Sequence, residues 1–124
     1  MPPPRILIVD DDKNIAPLFA RILKNAGYSV SSTLSGKEGL RAIREDAFDL
    51  VILDLAIPEV DGFEILRAVR DQLPKPKIIA VSGVIPSMLK AAKLCGADLV
   101  IDKPLAVDVL VMSVRSLIET PSCT

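Results

Sequence analysis

The sequence has no histidine and no tryptophan, and its only cysteines are Cys95 and Cys123. The lack of histidine and of cysteines at ligand spacing argues against a zinc site, a haem site and a histidine-based catalytic triad. Two cysteines make no disulfide framework, so a reducing compartment is the simpler interpretation. No apolar run approaches the ~20 residues of a membrane span, and the amino terminus lacks the apolar stretch of a signal peptide. We therefore expect a cytoplasmic protein.

Aromatic residues and net charge are also scarce. Aromatics make up 3% of the 124 residues, and 15 Lys and Arg face 16 Asp and Glu, for a net charge of -1. Half of the residues are hydrophobic (50%), so the core must be aliphatic. Without a basic patch or interleaved aromatics, direct binding to nucleic acid or to an anionic membrane is not expected. The length predicts a single domain over 1–124, with 1–4 and 120–124 as frayed ends.

Five short apolar runs alternate with segments of helical periodicity. Four runs are nearly continuous and rich in Val and Ile, as is typical of parallel strands buried on both faces, whereas the second alternates like an edge strand. This order predicts an α/β fold, (βα)5, with a doubly wound, parallel five-stranded sheet. The predicted strands cover 6–9, 28–32, 50–53, 77–81 and 99–101, and the predicted helices cover 15–26, 36–46, 62–73, 87–95 and 106–119. Helical spacing places Leu18 and Phe19 on the predicted core-facing stripe of the first helix and Val107 on that of the last. Gly27 and Gly96 are expected to end the first and fourth helices.

Polar residues follow four of the predicted strands. Asp10, Asp11 and Asp12 follow the first strand, Asp54 the third, Ser82 the fourth, and Lys103 comes after Asp102 at the end of the fifth. In an open α/β sheet, ligands bind beyond the carboxyl ends of the strands, so we expect these side chains to line one pocket. Taken singly, Asp12 is expected to cap a helix, Ser82 could be an ordinary turn residue, and Lys103 could be an ordinary surface lysine. Their coincidence at one sheet edge favours a site.

Asp54 is the most informative of these residues. It stands among Val51, Ile52 and Leu53, where a lone carboxylate costs several kcal/mol unless it is paired or binds a cation. Two carboxylates at 4 Å and an effective dielectric constant of 20 repel by ~4 kcal/mol. A cluster of them therefore needs a cation, and ligands made only of oxygen point to Mg²⁺.

The chain resembles the CheY-like receiver domains of bacterial two-component response regulators. The resemblance rests on Ile8-Val9-Asp10-Asp11, on the stretch 54–62, on Ser82-Gly83, and on Gly96-Ala97-Asp98 followed by Lys103-Pro104. It implies a flavodoxin-like sheet with strand order 2-1-3-4-5. It further implies that Asp54 is the phospho-acceptor, taking a phosphoryl group from a histidine kinase or phosphotransfer protein.

The resemblance also implies the other roles in the site. Asp11, Asp54 and the backbone carbonyl of Ala56 would ligate Mg²⁺ (or Mn²⁺), and Asp10 would act mainly through a water. Ser82 and Lys103 would bind phosphoryl oxygens, with the Lys103–Pro104 bond cis. Such a domain catalyses only its own phosphorylation and dephosphorylation and is otherwise no enzyme. Its output would be a downstream protein target or a fused effector.

The chain departs from the family pattern where the phosphorylated state is communicated. Val100 stands where an aromatic usually lies, and Leu105 where Phe is common. Ala56 and Val84 should lie closest to the path of the hydrolytic water, and neither side chain can hydrogen-bond to it. We therefore expect a long-lived phosphorylated form. A second apolar stripe on the last helix, Val109 and Met112, suggests a homodimer through that helix and the fifth strand, or simply a wide core face.

Three alternatives compete with this interpretation. A haloacid-dehalogenase-type phosphatase generally needs an acid or base two residues after the nucleophile, where this chain has Ala56. An FMN carrier needs a phosphate-binding loop after the first strand, where the three aspartates would repel the phosphate. A degenerate receiver, acting as a phosphorylation-independent interaction domain, is disfavoured by the intact Asp11, Asp54, Ser82 and Lys103 but stays open.

Overall fold

Five parallel strands form one sheet in the order β2-β1-β3-β4-β5. A computed structural model describes residues 2–55, 62–82, 93, 96–103 and 106–119. The strand order and the edge position of β2 are confirmed, and every strand lies within one residue of its predicted bounds. The strands are β1 (Arg5–Val9), β2 (Ser29–Thr33), β3 (Leu50–Asp54), β4 (Lys77–Ser82) and β5 (Leu99–Asp102).

Four helices are present in the described part of the chain: α1 (Ile15–Asn25), α2 (Gly36–Glu45), α3 (Gly62–Arg70) and α4 (Val107–Glu119). The predicted end of α3 at residue 73 is wrong by three residues. The Gln72 N–H donates to the Val69 carbonyl in a tighter closing turn, and Pro74 has no N–H with which to continue a helix. The helix predicted over 87–95 falls, except for residue 93, outside the described residues. None of the described helices is long and apolar enough to cross a membrane.

Helices cover both faces of the sheet because successive strand residues point to opposite sides. On one face Leu7, Leu53 and Ile78 pack with Ile43 of α2 and Ile65 of α3. The other face is built in the same way by the alternate residues of the strands and by α1 and α4. Its buried members include Ile8, Ile52, Ile79, Phe19, Leu23, Leu110 and Val114.

The buried face of α1 differs from the predicted stripe. Leu18, expected in the core, is 46% exposed, whereas Ala16 and Ala20 are buried beside Phe19 and Leu23. Because Ala16 and Ala20 take the core positions beside Phe19 and Leu23, Leu18 lies at the flank of the buried face. Gly27 follows the helix with φ 105°, the left-handed conformation that favours glycine, as the expected helix end requires.

Helix α4 also has exposed apolar side chains outside its buried face. Val107, expected to line the core, is 44% exposed because it opens the helix. Val109 is 44% and Met112 is 70% exposed, while Leu110 and Val114 are fully buried. The core therefore does not use the second stripe.

Asp98 fastens the amino-terminal ends of β4 and β5 together. Its Oδ2 accepts a hydrogen bond from the Ile78 N–H at 2.8 Å, and its own N–H donates to the Ile78 carbonyl at 2.9 Å. Ile78 is fully buried, so water cannot replace the carboxylate as the acceptor for that N–H.

We predict that Asp98→Ala lowers the free energy of unfolding by about 1–3 kcal/mol, because it leaves a buried N–H without its acceptor. Asp98→Asn keeps an acceptor oxygen and should lose less. Urea unfolding monitored by circular dichroism measures both variants. The exposed Asp71, changed to Ala, is the control, and an Asp98→Ala variant as stable as that control would contradict the prediction.

Candidate functional site

Three carboxylates meet at the carboxyl edge of the sheet, as the strand ends predicted. Asp10 follows β1 and Asp54 ends β3, which are neighbouring strands. Oxygen atoms of Asp10, Asp11 and Asp54 all lie within 4.8 Å of one another. Asp10 and Asp54 are 7% and 4% exposed, whereas Asp11 is exposed to solvent. The cluster thus joins two buried carboxylates to one that remains hydrated.

Lys103 supplies the positive charge that the buried carboxylates require. Its Nζ donates to Asp54 Oδ2 at 2.8 Å and to Asp10 Oδ2 at 3.4 Å. Lys103 follows β5, so its side chain reaches across β4 to β3, a span of roughly 10 Å at ordinary strand spacing. The Lys103 N–H also donates to the Ser82 carbonyl at 3.2 Å, which anchors the lysine backbone at the end of β4.

Burial and charge act in opposite directions on these groups. Burial is the largest influence on the pKa of Asp10 and raises it, and the negative charge of Asp54 also raises it. The hydrogen bond from Asp12 and the charge of Lys103 lower this pKa, but the net shift is upwards. For Lys103, partial burial opposes the charged form, yet the hydrogen bond and charge of Asp54, with Asp10, raise the pKa overall.

The two shifts have opposite consequences for stability. A carboxyl whose pKa is higher in the folded protein stabilises the fold below its ordinary pKa and loses that contribution as pH rises, so ionised Asp10 weakens the fold at neutral pH. The contribution of Lys103 is complete at neutral pH and is lost only as pH rises through its raised pKa. At neutral pH, Lys103 therefore stabilises the fold and the ionised Asp10 counteracts it.

Ser82 lies on β4, next to the strand of Asp54, and Val100 lies on β5, one strand further away. Ser82 ends β4, is 1% exposed, and stands opposite Asp102 in the parallel register. Val100 is partly buried and packs against the core on the α2–α3 side of the sheet. The structure therefore brings Ser82 to the same edge as Asp54 and leaves Val100 within the sheet.

Several predicted residues fall outside the described part of the chain. These are Ala56 with its backbone carbonyl, Val84 near the expected path of water, Pro104 with its cis bond, and Leu105. Their roles stay predictions. The ligands that can be placed are the carboxylates of Asp10, Asp11 and Asp54.

The backbone next to the cluster is held by the side chain of Asp12 and by a hydrogen bond from Asp10 to β2. Asp12 caps the first turn of α1, as expected, because its Oδ1 accepts from the Asn14 and Ile15 N–H groups. These hydrogen bonds lower the pKa of Asp12. The Thr33 carbonyl accepts from the Asp10 N–H at 3.2 Å, a contact that sequence reasoning missed. The alternating pattern of β2 could indicate an edge strand, but it carried no signal for its register against β1.

The donor set fits a hard divalent cation. Three carboxylates against one ammonium leave two negative charges, and oxygen ligands are those that Mg²⁺ and Ca²⁺ prefer. Because Asp11 is exposed, the cluster is open to solvent, as a cation that keeps part of its hydration shell requires. The residues present could therefore bind a metal ion.

Comparison with known proteins gives consistent matches. The sequence profile of the family described as "Response regulator receiver domain" matches residues 6–115. Response regulator MprA of Mycolicibacterium vanbaalenii is 38% identical over 120 residues, which cover 94% of this chain and 51% of MprA. This chain spans about half the length of the curated relatives it matches.

Solved structures agree with this result. A CheY-like receiver domain protein from Methanospirillum hungatei has a TM-score of 0.88 at 32% identity, covering 94% of each chain. The BeF3-activated receiver domain of DrrB, a response regulator from Thermotoga maritima, has a TM-score of 0.86 at 28% identity, covering 95% of this chain and 99% of that one.

We predict that Asp11→Ala stabilises the metal-free protein by about 1 kcal/mol, because it removes one of three mutually repelling charges. The same change should abolish most of the stabilisation that added Mg²⁺ gives to the parent protein. Thermal unfolding with and without Mg²⁺ measures both effects, with Asp71→Ala as the control. A destabilised Asp11→Ala variant that responds fully to Mg²⁺ would contradict a shared site.

Proposed function

The chain belongs to the family of response regulator receiver domains, and we propose that Asp54 accepts a phosphoryl group in a Mg²⁺-dependent transfer. The observation that carries this proposal is the cluster of Asp10, Asp11 and Asp54 with Lys103 bound to the buried pair. The cluster combines a carboxylate nucleophile, candidate metal ligands and a cation within one edge of the sheet. These are the groups that phosphoryl transfer to a carboxylate needs.

In this proposal the nucleophile is the Asp54 carboxylate. One of its oxygens forms a bond with phosphorus while the phosphorus–nitrogen bond of a donor phosphohistidine breaks, and the leaving imidazole takes up a proton. The buried position of Asp54 at the end of β3 supports this role because the strand fixes its direction and restricts access by water. The Lys103 ammonium donates to Asp54 Oδ2 at 2.8 Å and so holds one carboxylate oxygen in place.

Mg²⁺, when bound, would neutralise the charge of the phosphoryl oxygens as they approach the carboxylates. Asp11 and Asp54 would ligate it directly and Asp10 mainly through a water, with the Ala56 carbonyl as a further ligand. Oxygen atoms of the three carboxylates lie within 4.8 Å of one another, close enough to share one cation, and this supports the assignment.

Lys103 and Ser82 would hold the transferred group. The Lys103 ammonium would exchange one carboxylate partner for a phosphoryl oxygen, and the Ser82 hydroxyl would donate to another. Support comes from Ser82 at the end of β4, which neighbours β3, from the contact of Lys103 with Asp54, and from the hydrogen bond between the Lys103 and Ser82 backbones. The protein would catalyse its own phosphorylation and dephosphorylation and no turnover of a foreign substrate.

The donor would be a histidine kinase or a phosphotransfer protein, and the output a downstream protein or a fused effector. A receiver that acts without phosphorylation is the alternative. The intact carboxylate cluster and its lysine favour the phosphorylated function, and the experiment below separates the two.

We predict that the protein, incubated with Mg²⁺ and acetyl phosphate, gains one phosphoryl group, and that Asp54→Asn abolishes the gain. Intact-mass spectrometry measures it directly. Chelation of the metal should prevent labelling, and Asp71→Asn is the control that leaves it unchanged. Label on the Asp54→Asn variant, or none on the parent protein, would contradict the proposal.

We further propose that α4 with β5 forms a homodimer or partner surface. The supporting observation is that Val109 and Met112 are exposed on α4 while the helix already buries Leu110 and Val114. An exposed apolar pair that the core does not use fits a contact surface.

We predict that Val109→Glu with Met112→Lys weakens self-association while phosphorylation continues at the parent rate. Sedimentation velocity of the phosphorylated protein measures the association. The control, Arg115→Glu with Glu119→Lys, also leaves net charge unchanged but keeps the apolar pair. Equal sedimentation of both double variants and the parent protein would contradict a homodimer.

A further inference from the structure

We propose that Asp12, which lies outside the carboxylate cluster, is a positioning residue for it. Its side chain fixes the turn between β1 and α1 so that its own backbone N–H holds the Asp10 carboxylate in place. This inference rests on the proposed function, because it concerns the site where we place phosphorylation.

Asp12 holds the first turn of α1 with two acceptors. Its side-chain Oδ1 accepts from the Asn14 N–H at 2.8 Å and from the Ile15 N–H at 3.1 Å. Its carbonyl accepts from the Ala16 N–H at 3.2 Å. Asn14, which immediately precedes α1, makes no capping bond through its side chain, so Asp12 performs the capping from two residues earlier. The conformation of residues 12–15 therefore depends on the Asp12 side chain.

The same turn aims a donor at Asp10. The Asp12 N–H donates to Asp10 Oδ1 at 3.0 Å, while Lys103 Nζ contacts Asp10 Oδ2 at 3.4 Å. Oδ1 is thus held by the turn that precedes α1, and Oδ2 is held by the lysine that follows β5. Two donors on different oxygens fix the rotation of the carboxylate. If the turn relaxes, the first donor is lost and Asp10 can rotate away from Lys103 and from a bound cation.

The alternative is that Asp12 acts through its negative charge. Its side chain is exposed to solvent, where water and salt screen an interaction with the cluster. Capping needs only an acceptor oxygen, which Asn and Ser also provide without charge. The two explanations therefore predict different results for uncharged substitutions.

The experiment compares Asp12→Ala, Asp12→Asn and Asp12→Ser with the parent protein. We measure Mg²⁺ affinity by calorimetric titration and the rate of phosphorylation by acetyl phosphate, at a temperature where circular dichroism shows every variant folded. Asp12→Ala should bind Mg²⁺ about tenfold more weakly, as is typical when a group that orients a metal ligand is lost. Asp12→Asn and Asp12→Ser should recover most of the affinity and rate.

Ser35→Ala is the matched control, because Ser35 Oγ caps α2 by accepting from the Glu38 N–H at 3.1 Å. It should lose stability like Asp12→Ala but keep parent Mg²⁺ affinity. Parent affinity in Asp12→Ala, equal weakness in all three Asp12 variants, or an equal loss in Ser35→Ala would overturn the inference. If the parent protein binds Mg²⁺ but takes no phosphoryl group, the proposed function fails and the Mg²⁺ affinities still decide the role of Asp12.

Discussion

The contact between Lys103 and Asp54 is the interaction on which the site depends. Asp54 is buried at the end of a strand whose other residues are apolar, and Asp10 is buried beside it. Two carboxylates buried side by side need a cation near them, since isolated buried charge costs several kcal/mol. The ammonium comes from β5, two strands away, and is aimed by the bond between the Lys103 N–H and the Ser82 carbonyl. The charge balance of the site therefore depends on the strand order and register that bring Lys103 to Asp54 and Asp10.

The strands and their order could be predicted because burial on both faces leaves a clear signal in the sequence. Continuous Val and Ile runs and the alternation in 28–32 placed the central and edge strands within one residue. The orientation of α1 could not be predicted. Periodicity alone gave Leu18 the same weight as Phe19, and only packing reveals that Ala16 and Ala20 share the buried face while Leu18 does not.

The candidate site was predictable for a similar reason, because the carboxyl ends of parallel strands meet at one edge. An aspartate within an apolar strand and a lysine after β5 were enough to place Asp54 and Lys103 together. The sequence could not predict that the Asp10 N–H donates to the Thr33 carbonyl. Every residue has a carbonyl, and only the register of β1 against β2 determines which one meets Asp10. The sequence also could not show that Asp12 holds both the helix and the amide that contacts Asp10.

The position of Lys103 after β5 links the site to one edge of the sheet. β5 lies at one end of the strand order and has three half-buried residues and the exposed Asp102, whereas β3 is buried throughout. Local opening of a sheet begins where few apolar contacts must be broken, so β5 is expected to exchange its amide hydrogens sooner than β3. Each such opening would withdraw the ammonium from Asp54 and Asp10 at once. By linkage, a ligand that takes over the neutralisation of these carboxylates would lower the free energy needed to open β5, which would couple the charge in the site to the opening of one edge of the sheet.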